Sequence, residues 1–163
     1  MLPLFMYWLF GWAFGGARPV PVNPYHFRRP KRDMALTAAA GPLTNIFLAV
    51  FFILLCRLPF IAPDDSYNRF VFVKAAFLNA FLAAFNMLPI PPLDGGRVLV
   101  GILPGAVAWH FEKIQRFGLV GVMLIVIVLD ALGFFGHMML WVVRGLGAVG
   151  GMNPFEILRY VRG

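Results

Sequence analysis

The run from Met34 to Cys56 contains no charged residue and is long enough to cross a lipid bilayer. A membrane helix needs roughly 20 consecutive, predominantly apolar residues. Two further runs, Phe70–Leu93 and Phe117–Val143, reach this length with few ionisable residues inside them. Since 61% of the chain is hydrophobic and only 13% is charged, these runs predict an all-α, multi-pass transmembrane helical bundle that forms a single membrane-embedded domain over residues 1–163.

Two parts of this pattern allow more than one interpretation. The apolar stretch Leu2–Ala17 is short, so it could be a re-entrant piece, a clipped helix or a signal sequence, although no basic residue precedes it, as a signal peptide requires. The run Phe117–Val143 contains Gly133 and Gly136 near its middle. It could be one long tilted helix or two short segments that turn near residues 130–136.

The net charge of +7 comes largely from one short region that precedes the first long apolar run. Under the positive-inside rule this region is cytoplasmic and the segment Arg57–Arg69 lies on the opposite side. We therefore expect the basic residues to contact membrane lipids and to bind no nucleic acid. These residues are Arg18, Arg28, Arg29, Lys31 and Arg32.

The basic region, "RPVPVNPYHFRRPKRD", is also rich in proline. Proline fixes the backbone and biases the residue before it toward extended conformations. The region is predicted to be a short extended segment or loop at the membrane surface. Asp33 is then a plausible N-cap for a helix that begins at Met34.

The first long run contains the stretch "AAAGPLTNIF". Pro42 removes a helical hydrogen bond, and Gly41 with the alanines before it lets another backbone approach closely. This could simply be a packing face. Asn45 favours a functional role, because an amide at membrane depth needs a partner.

The stretch "NMLPIPPLDGG" interrupts the second long run with three prolines, which break the helix and leave carbonyl groups without helical partners. Such backbone survives at membrane depth only where protein buries it or water lines it. An ionised Asp94 adds a cost of roughly 2.5–3.5 kcal/mol at a helix centre. Either the carboxylate serves a site, as a zinc ligand or a coupling-ion ligand, or it lies near an interface where this cost is small.

Three stretches in this order carry a resemblance: "GWAFGGARPVPVNPYHFRRPKRDM", "ALTAAAGPLTNIFLAV" and "FNMLPIPPLDGGRVL". Together they resemble the site-2 protease family of intramembrane zinc metalloproteases, in particular its compact bacterial members. The resemblance implies a protein of the bacterial cytoplasmic membrane that hydrolyses peptide bonds of transmembrane protein or peptide substrates with one zinc ion.

Transferred to this sequence, the family pattern makes Asp94 the carboxylate ligand of the zinc ion and Asn86 a contact to the substrate backbone or the developing oxyanion. It implies that the extended segment Arg18–Pro24 lies near the site and could align an unwound substrate by strand addition. The remaining matched positions are structural, on a helix beside the site or at the helix break. They are Gly41, Pro42, Asn45, Pro89, Gly95 and Gly96.

The family's other signature, His-Glu-x-x-His on one helix, is absent from the 163 residues. No two of the histidines His26, His110 and His137 lie four residues apart, and no glutamate is placed to act as the general base. His137 could pair with Asp130, face a water pocket or lie at a turn. By itself the chain should therefore not hydrolyse peptides.

Three explanations for the absent signature remain open: an N-terminally truncated protease, a degenerate homologue, or a half-enzyme to which another chain supplies the histidines. We expect the first, a C-terminal portion of a protease core. The alternative function is a non-catalytic membrane scaffold, or helix-binding pseudoprotease, with the same fold. A transporter or channel subunit is disfavoured, because no second broken helix occupies a corresponding half.

Overall fold

The computed structural model describes residues 29–64, 66–91, 93–104, 107–108 and 118–162. This part of the chain is all-helical, which confirms the predicted α class for these residues, and it contains no strand. The predictions for Leu2–Ala17 and for Arg18–Pro24 lie outside the described residues. The helices are α1 (Pro30–Leu55), α2 (Tyr67–Asn86), α3 (Asp94–Ile102), α4 (Gly118–Ala131), α5 (Phe134–Gly150) and α6 (Pro154–Arg162).

Helices α1 and α2 are each long and apolar enough to cross a membrane. Helices α4 and α5 could together form a third span, but they bend by 76° where they meet. The bend lies at Leu132 and Gly133, where Gly133 adopts a left-handed φ of 71°, a conformation that glycine reaches at no steric cost. Of the two interpretations of residues 117–143, the structure has two helices.

The start of α1 differs from the prediction. The helix begins at Pro30 rather than Met34, and Asp33 is not its N-cap but lies in its first turn. Proline is favoured at the first helical position, because its missing N–H would have no intrahelical partner there. The Asp33 carboxylate instead accepts a hydrogen bond from the backbone N–H of Arg29 at 3.0 Å. The helix then continues through Pro42, which is buried.

The bundle has two ends, which the contacts between helices define. Helices α1 and α2 are joined at residues 56–66 and pack side by side, so they run antiparallel. Helix α5 runs parallel to α1, since a Cβ on Gly150 would lie 2.7 Å from Ile53, whereas Phe135 packs on Phe85 near the end of α2. We call the end with residues 56–66 and 150–153 the loop end, and the end where α1 starts the basic end.

The apolar core joins α1, α2, α5 and α6 and lies toward the loop end. Ile53, Val73 and Ile157 have no exposed surface, and Ala49 and Ala76 let the helices come close. Glycine serves the same purpose where α5 turns into α6, because a Cβ on Gly147 would lie 2.7 Å from the backbone oxygen of Met152. The loop end therefore holds the main apolar core of the described chain.

Arg69 joins the segments that meet at the loop end. Its side chain is only 13% exposed and forms an ion pair with Asp64 at 2.6 Å and with Glu156 at 3.4 Å. The same guanidinium donates to the carbonyl oxygens of Cys56 at 3.3 Å and Ala62 at 3.5 Å.

Replacement of Arg69 by alanine should lower the free energy of unfolding by about 1–3 kcal/mol, because it leaves carbonyl oxygens at the loop end without a donor. Thermal or SDS-induced unfolding of the protein in detergent measures this change. Arg57→Ala is the matched control, since Arg57 is an exposed arginine of the same loop, and it should change stability by less than about 0.5 kcal/mol. Equal losses in the two variants would contradict the role given to Arg69.

Candidate functional site

The break between α2 and α3 is closed by tight turns of the backbone. The N–H of Leu88 donates to Phe85 at 3.1 Å, that of Ile90 to Leu88 at 2.7 Å, and that of Leu93 to Ile90 at 2.9 Å. The carbonyl groups of Phe85 and Leu88 lack helical partners because positions 89 and 92 are proline, and they accept these N–H groups within the break instead. Turns within the break thus provide hydrogen bonds for some of the backbone groups that the prolines leave without helical partners.

Two buried glycines at the start of α3 let this loop fold against the helix. A Cβ on Gly95 would lie 2.5 Å from the carbonyl oxygen of Leu88 and closer still to the carbonyl of Met87. A Cβ on Gly96 would lie 2.5 Å from the backbone nitrogen of Pro91. Any larger residue at either position would therefore push the loop away from α3.

Asp94 is the first residue of α3 and is half-buried. The positive end of the helix dipole favours a carboxylate at this position. Helix α1 approaches it at Gly41, where a Cβ would lie 3.4 Å from the Asp94 Oδ2 atom. Asp94 forms no hydrogen bond or ion pair with another described residue, so within this part of the chain its oxygens remain free to accept a ligand.

The packing of α3 on α1 fixes how deep this carboxylate lies. A Cβ on Gly101, near the end of α3, would lie 2.5 Å from the Ala35 Cβ and 3.0 Å from the Lys31 backbone oxygen. Helix α3 therefore runs antiparallel to α1, with Asp94 at the level of Gly41. Since a helix rises 1.5 Å per residue, Asp94 lies about 15 Å from Lys31 along α1, beside the uncharged part of that helix.

The other predicted site residues lie around this point. Asn86 is the last residue of α2 and is half-buried. Asn45 is half-buried one turn after Gly41, Pro42 is buried and Pro89 is exposed. Neither amide side chain bonds to another described residue. The structure thus places Gly41 close to Asp94. The roles given to Asn86 and Asn45 stay predictions.

The histidines do not complete a metal site in the described part of the chain. His26 and His110 lie outside it. His137 is exposed, and its Nδ1 atom lies 2.9 Å from the carbonyl oxygen of Gly133 in its own helix. Asp130 is exposed on the other side of the α4–α5 turn, so these two residues flank a turn, which was one of the open interpretations.

No group of three histidine, cysteine, aspartate or glutamate residues that could hold a metal occurs among the described residues. A catalytic zinc ion takes three protein ligands, and the family pattern assigns only Asp94 among the described residues to such a role. The described residues by themselves therefore do not fit a zinc ion.

Sequence reasoning missed Gly101, which sets the distance between α3 and α1. The signal that could have found it is its spacing, because seven residues after Asp94 is about two helical turns and so the same helix face. Two small residues, Gly41 on α1 and Gly101 on α3, thus let the two helices approach closely at both ends of their contact.

Comparison with known proteins gives a family match that covers the helix break and Asp94. Residues 62–129 match the model of peptidase family M50, and this match includes α2, the helix break and α3. Three curated relatives are each named "putative zinc metalloprotease". No solved structure matches the chain significantly.

The relative from Bacillus subtilis, YwhC, is 31% identical over 83% of this chain and 62% of its own length. The relative from Methanocaldococcus jannaschii is 51% identical over 38% of the chain and 31% of its own length. The relative from Clostridium perfringens is 36% identical over 34% of the chain and 19% of its own length. The chain therefore spans less than two thirds of the length of each of these curated relatives. The family match and these relatives confirm the resemblance predicted from the motifs.

Gly95→Ala and Gly96→Ala should each lower the free energy of unfolding by about 1–3 kcal/mol, since the added methyl group meets the backbone of the loop. Thermal unfolding in detergent measures the loss. The matched control is Gly145→Ala, because a Cβ there meets nothing within 4 Å. That change should leave stability unchanged or raise it by up to about 1 kcal/mol; a similar loss at all three positions would contradict the proposed fit of the loop.

Gly41→Ala should be tolerated, because its Cβ makes an ordinary van der Waals contact with Asp94. Gly41→Leu should displace α3 and cost about 1–3 kcal/mol. The ¹³C chemical shift of the Asp94 carboxyl group, measured by NMR, should change in the leucine variant. Ala40→Leu at the neighbouring exposed position is the control and should alter neither quantity; an unchanged Asp94 signal in Gly41→Leu would disprove the contact.

Proposed function

We propose, on the premise that this chain belongs to peptidase family M50, the site-2 protease family, that it forms the carboxylate-bearing part of an intramembrane zinc metalloprotease. The complete site would hydrolyse peptide bonds of transmembrane protein or peptide substrates. The location proposed is the bacterial cytoplasmic membrane, which the chain crosses more than once.

The observation that carries this proposal is the position of Asp94. Its carboxylate lies at the start of a helix, bonds to no other described residue, and sits beside the uncharged part of α1 about 15 Å from the basic end. A carboxylate in such surroundings is costly and marks a functional site by default. The loop that precedes it is held closely against Gly95 and Gly96, so the carboxylate has a defined position.

The two further ligands and the general base must come from outside these 163 residues, because the sequence contains no His-Glu-x-x-His motif. When complete, the zinc ion would supply an activated water. Within this chain Asp94 would be one ligand. Asn86, at the end of α2, would donate its amide to a substrate carbonyl or to the charge that develops there.

A second candidate is a non-catalytic membrane scaffold that binds helices beside the broken segment. The observation that favours it is the absence of a three-ligand group among the described residues. Such a protein would keep the fold without any need for metal, and Asp94 would then have only a structural role at the start of α3.

The first experiment is the intact mass and N-terminal sequence of the native protein extracted from its own membrane. A mass well above 18.2 kDa with a His-Glu-x-x-His helix upstream supports the protease, and a start at Met1 leaves the scaffold or a half-enzyme. A half-enzyme differs from a scaffold in that it co-purifies with a chain that carries both histidines.

Asp94→Asn in the native protein should abolish stoichiometric zinc, measured by mass spectrometry of the metal, and lower the rate of substrate cleavage by more than about 100-fold. Even groups outside the ligand shell change metal affinity 10- to 100-fold, so the loss of a ligand should exceed this. Asp130→Asn is the control, since Asp130 is exposed at the end of α4, and it should retain both zinc and activity.

The outcomes separate the two functions. Zinc that remains in Asp94→Asn would refute the ligand role. A wild-type protein that holds no zinc, and whose partner helix stays bound in Asp94→Asn, would instead identify a scaffold.

A further inference from the structure

Lys74 is a charged side chain inside a candidate membrane span. It is half-buried in α2, seven residues after the helix begins, which corresponds to a depth of about 10 Å. It forms no ion pair with another described residue. Its only described partner for the charge is the ring of Phe70, whose centroid lies 4.2 Å from the Nζ atom.

Phe70 in turn stacks on Tyr67, with the two ring centroids 6.3 Å apart. Positions 67, 70 and 74 are three and four residues apart, so they share one face of the helix. Because helical side chains tilt toward the N-terminus of their helix, Lys74 reaches along this face toward the loop end. We call Tyr67, Phe70 and Lys74 the aromatic–lysine ladder.

The ladder borders the side of α2 that the described residues leave uncovered, since Phe70 and Lys74 are half-buried and Phe70 also packs against the apolar core. Tyr67 is 78% exposed, and the apolar residues Val71, Leu78 and Leu82 on the same side are also exposed. Apolar side chains on the outside of a membrane span face lipid. The ladder therefore leads from the lipid-facing side of the span to the membrane surface, where tyrosine is enriched.

The acidic side chains described at the loop end do not neutralise Lys74. Asp64 and Glu156 both pair with Arg69 instead. A cation at this depth needs a counter-charge, and none of the described residues on this face supplies one, whereas a membrane surface can. The phosphate of a phospholipid is the anion that a membrane surface offers, and a lysine side chain can reach up to it.

We propose that the aromatic–lysine ladder is a phospholipid-binding site in the leaflet at the loop end. The Lys74 ammonium binds the lipid phosphate, the rings of Phe70 and Tyr67 contact the glycerol region, and Val71 and Leu78 contact the acyl chain. This site is distinct from Asp94, which lies toward the other end of the bundle, and it does not depend on the proposed protease function.

The test is a direct measurement of phosphorus near the Lys74 ammonium. The full chain, labelled with ¹⁵N-lysine, is reconstituted in phosphatidylglycerol bilayers, and ³¹P–¹⁵N dipolar recoupling is measured by solid-state NMR. Comparison with Lys74→Met assigns the signal. Lys31→Met, which removes an exposed lysine at the basic end, is the control and should leave the Lys74 signal intact.

We expect lipid phosphorus to dephase the Lys74 signal, because a direct hydrogen-bonded ion pair places the Nζ atom within about 5 Å of the phosphorus atom. An undephased Lys74 signal overturns the proposal, whether a protein helix or nothing covers this face. Dephasing that persists in bilayers of a phosphate-free glycolipid with inorganic phosphate in the buffer also overturns it, because the anion is then free phosphate.

A binding measurement supplies the second readout. Native mass spectrometry of the full chain should show phosphatidylglycerol retention about fivefold weaker in Lys74→Met, the factor expected for one lysine near an anionic surface. Lys74→Arg should restore it, and unchanged thermal stability of both variants in neutral detergent shows that the fold persists. Equal retention by wild type and Lys74→Met contradicts the site.

Discussion

The requirement that every backbone polar group in a membrane find a partner shapes the rest of this structure. The prolines after Asn86 end α2, and the chain must then reverse and restart a helix at membrane depth without leaving carbonyl groups unpaired. Short turns achieve this for part of the backbone, with carbonyl groups that accept from N–H groups two or three residues further on. These turns fit only because Gly95 and Gly96 present bare backbone to the loop.

The same compact reversal determines where the carboxylate lies. Because α3 starts directly after the loop and runs antiparallel to α1, Asp94 lies beside Gly41, well inside the apolar part of α1. Small residues at both ends of the contact between α1 and α3 keep the two helices close. A fixed depth and a fixed helix terminus give the carboxylate a defined position before any ligand binds, which is a condition for a precise metal or substrate site.

Much of this could be predicted from the sequence, because hydrophobic runs and prolines act locally. The uncharged run that became α1, the helix break before Asp94 and the family resemblance follow from residue types and their order. The start of α1 at Pro30 was missed, because proline was read as a breaker although it is favoured in a first turn. The ion pair of Arg69 with Glu156 joins residues 87 positions apart, and no local pattern reports such a contact.

The two ends of the bundle are held together by different kinds of contact. At the loop end, large buried side chains and the Arg69 ion pairs hold α1, α2 and α6 together. Toward the basic end, the described contacts around Asp94 rely on glycine and alanine, which contribute little buried area but permit close approach. The largest buried apolar side chains thus lie remote from the carboxylate, so a ligand at Asp94 could enter without disturbing the core that joins the helices.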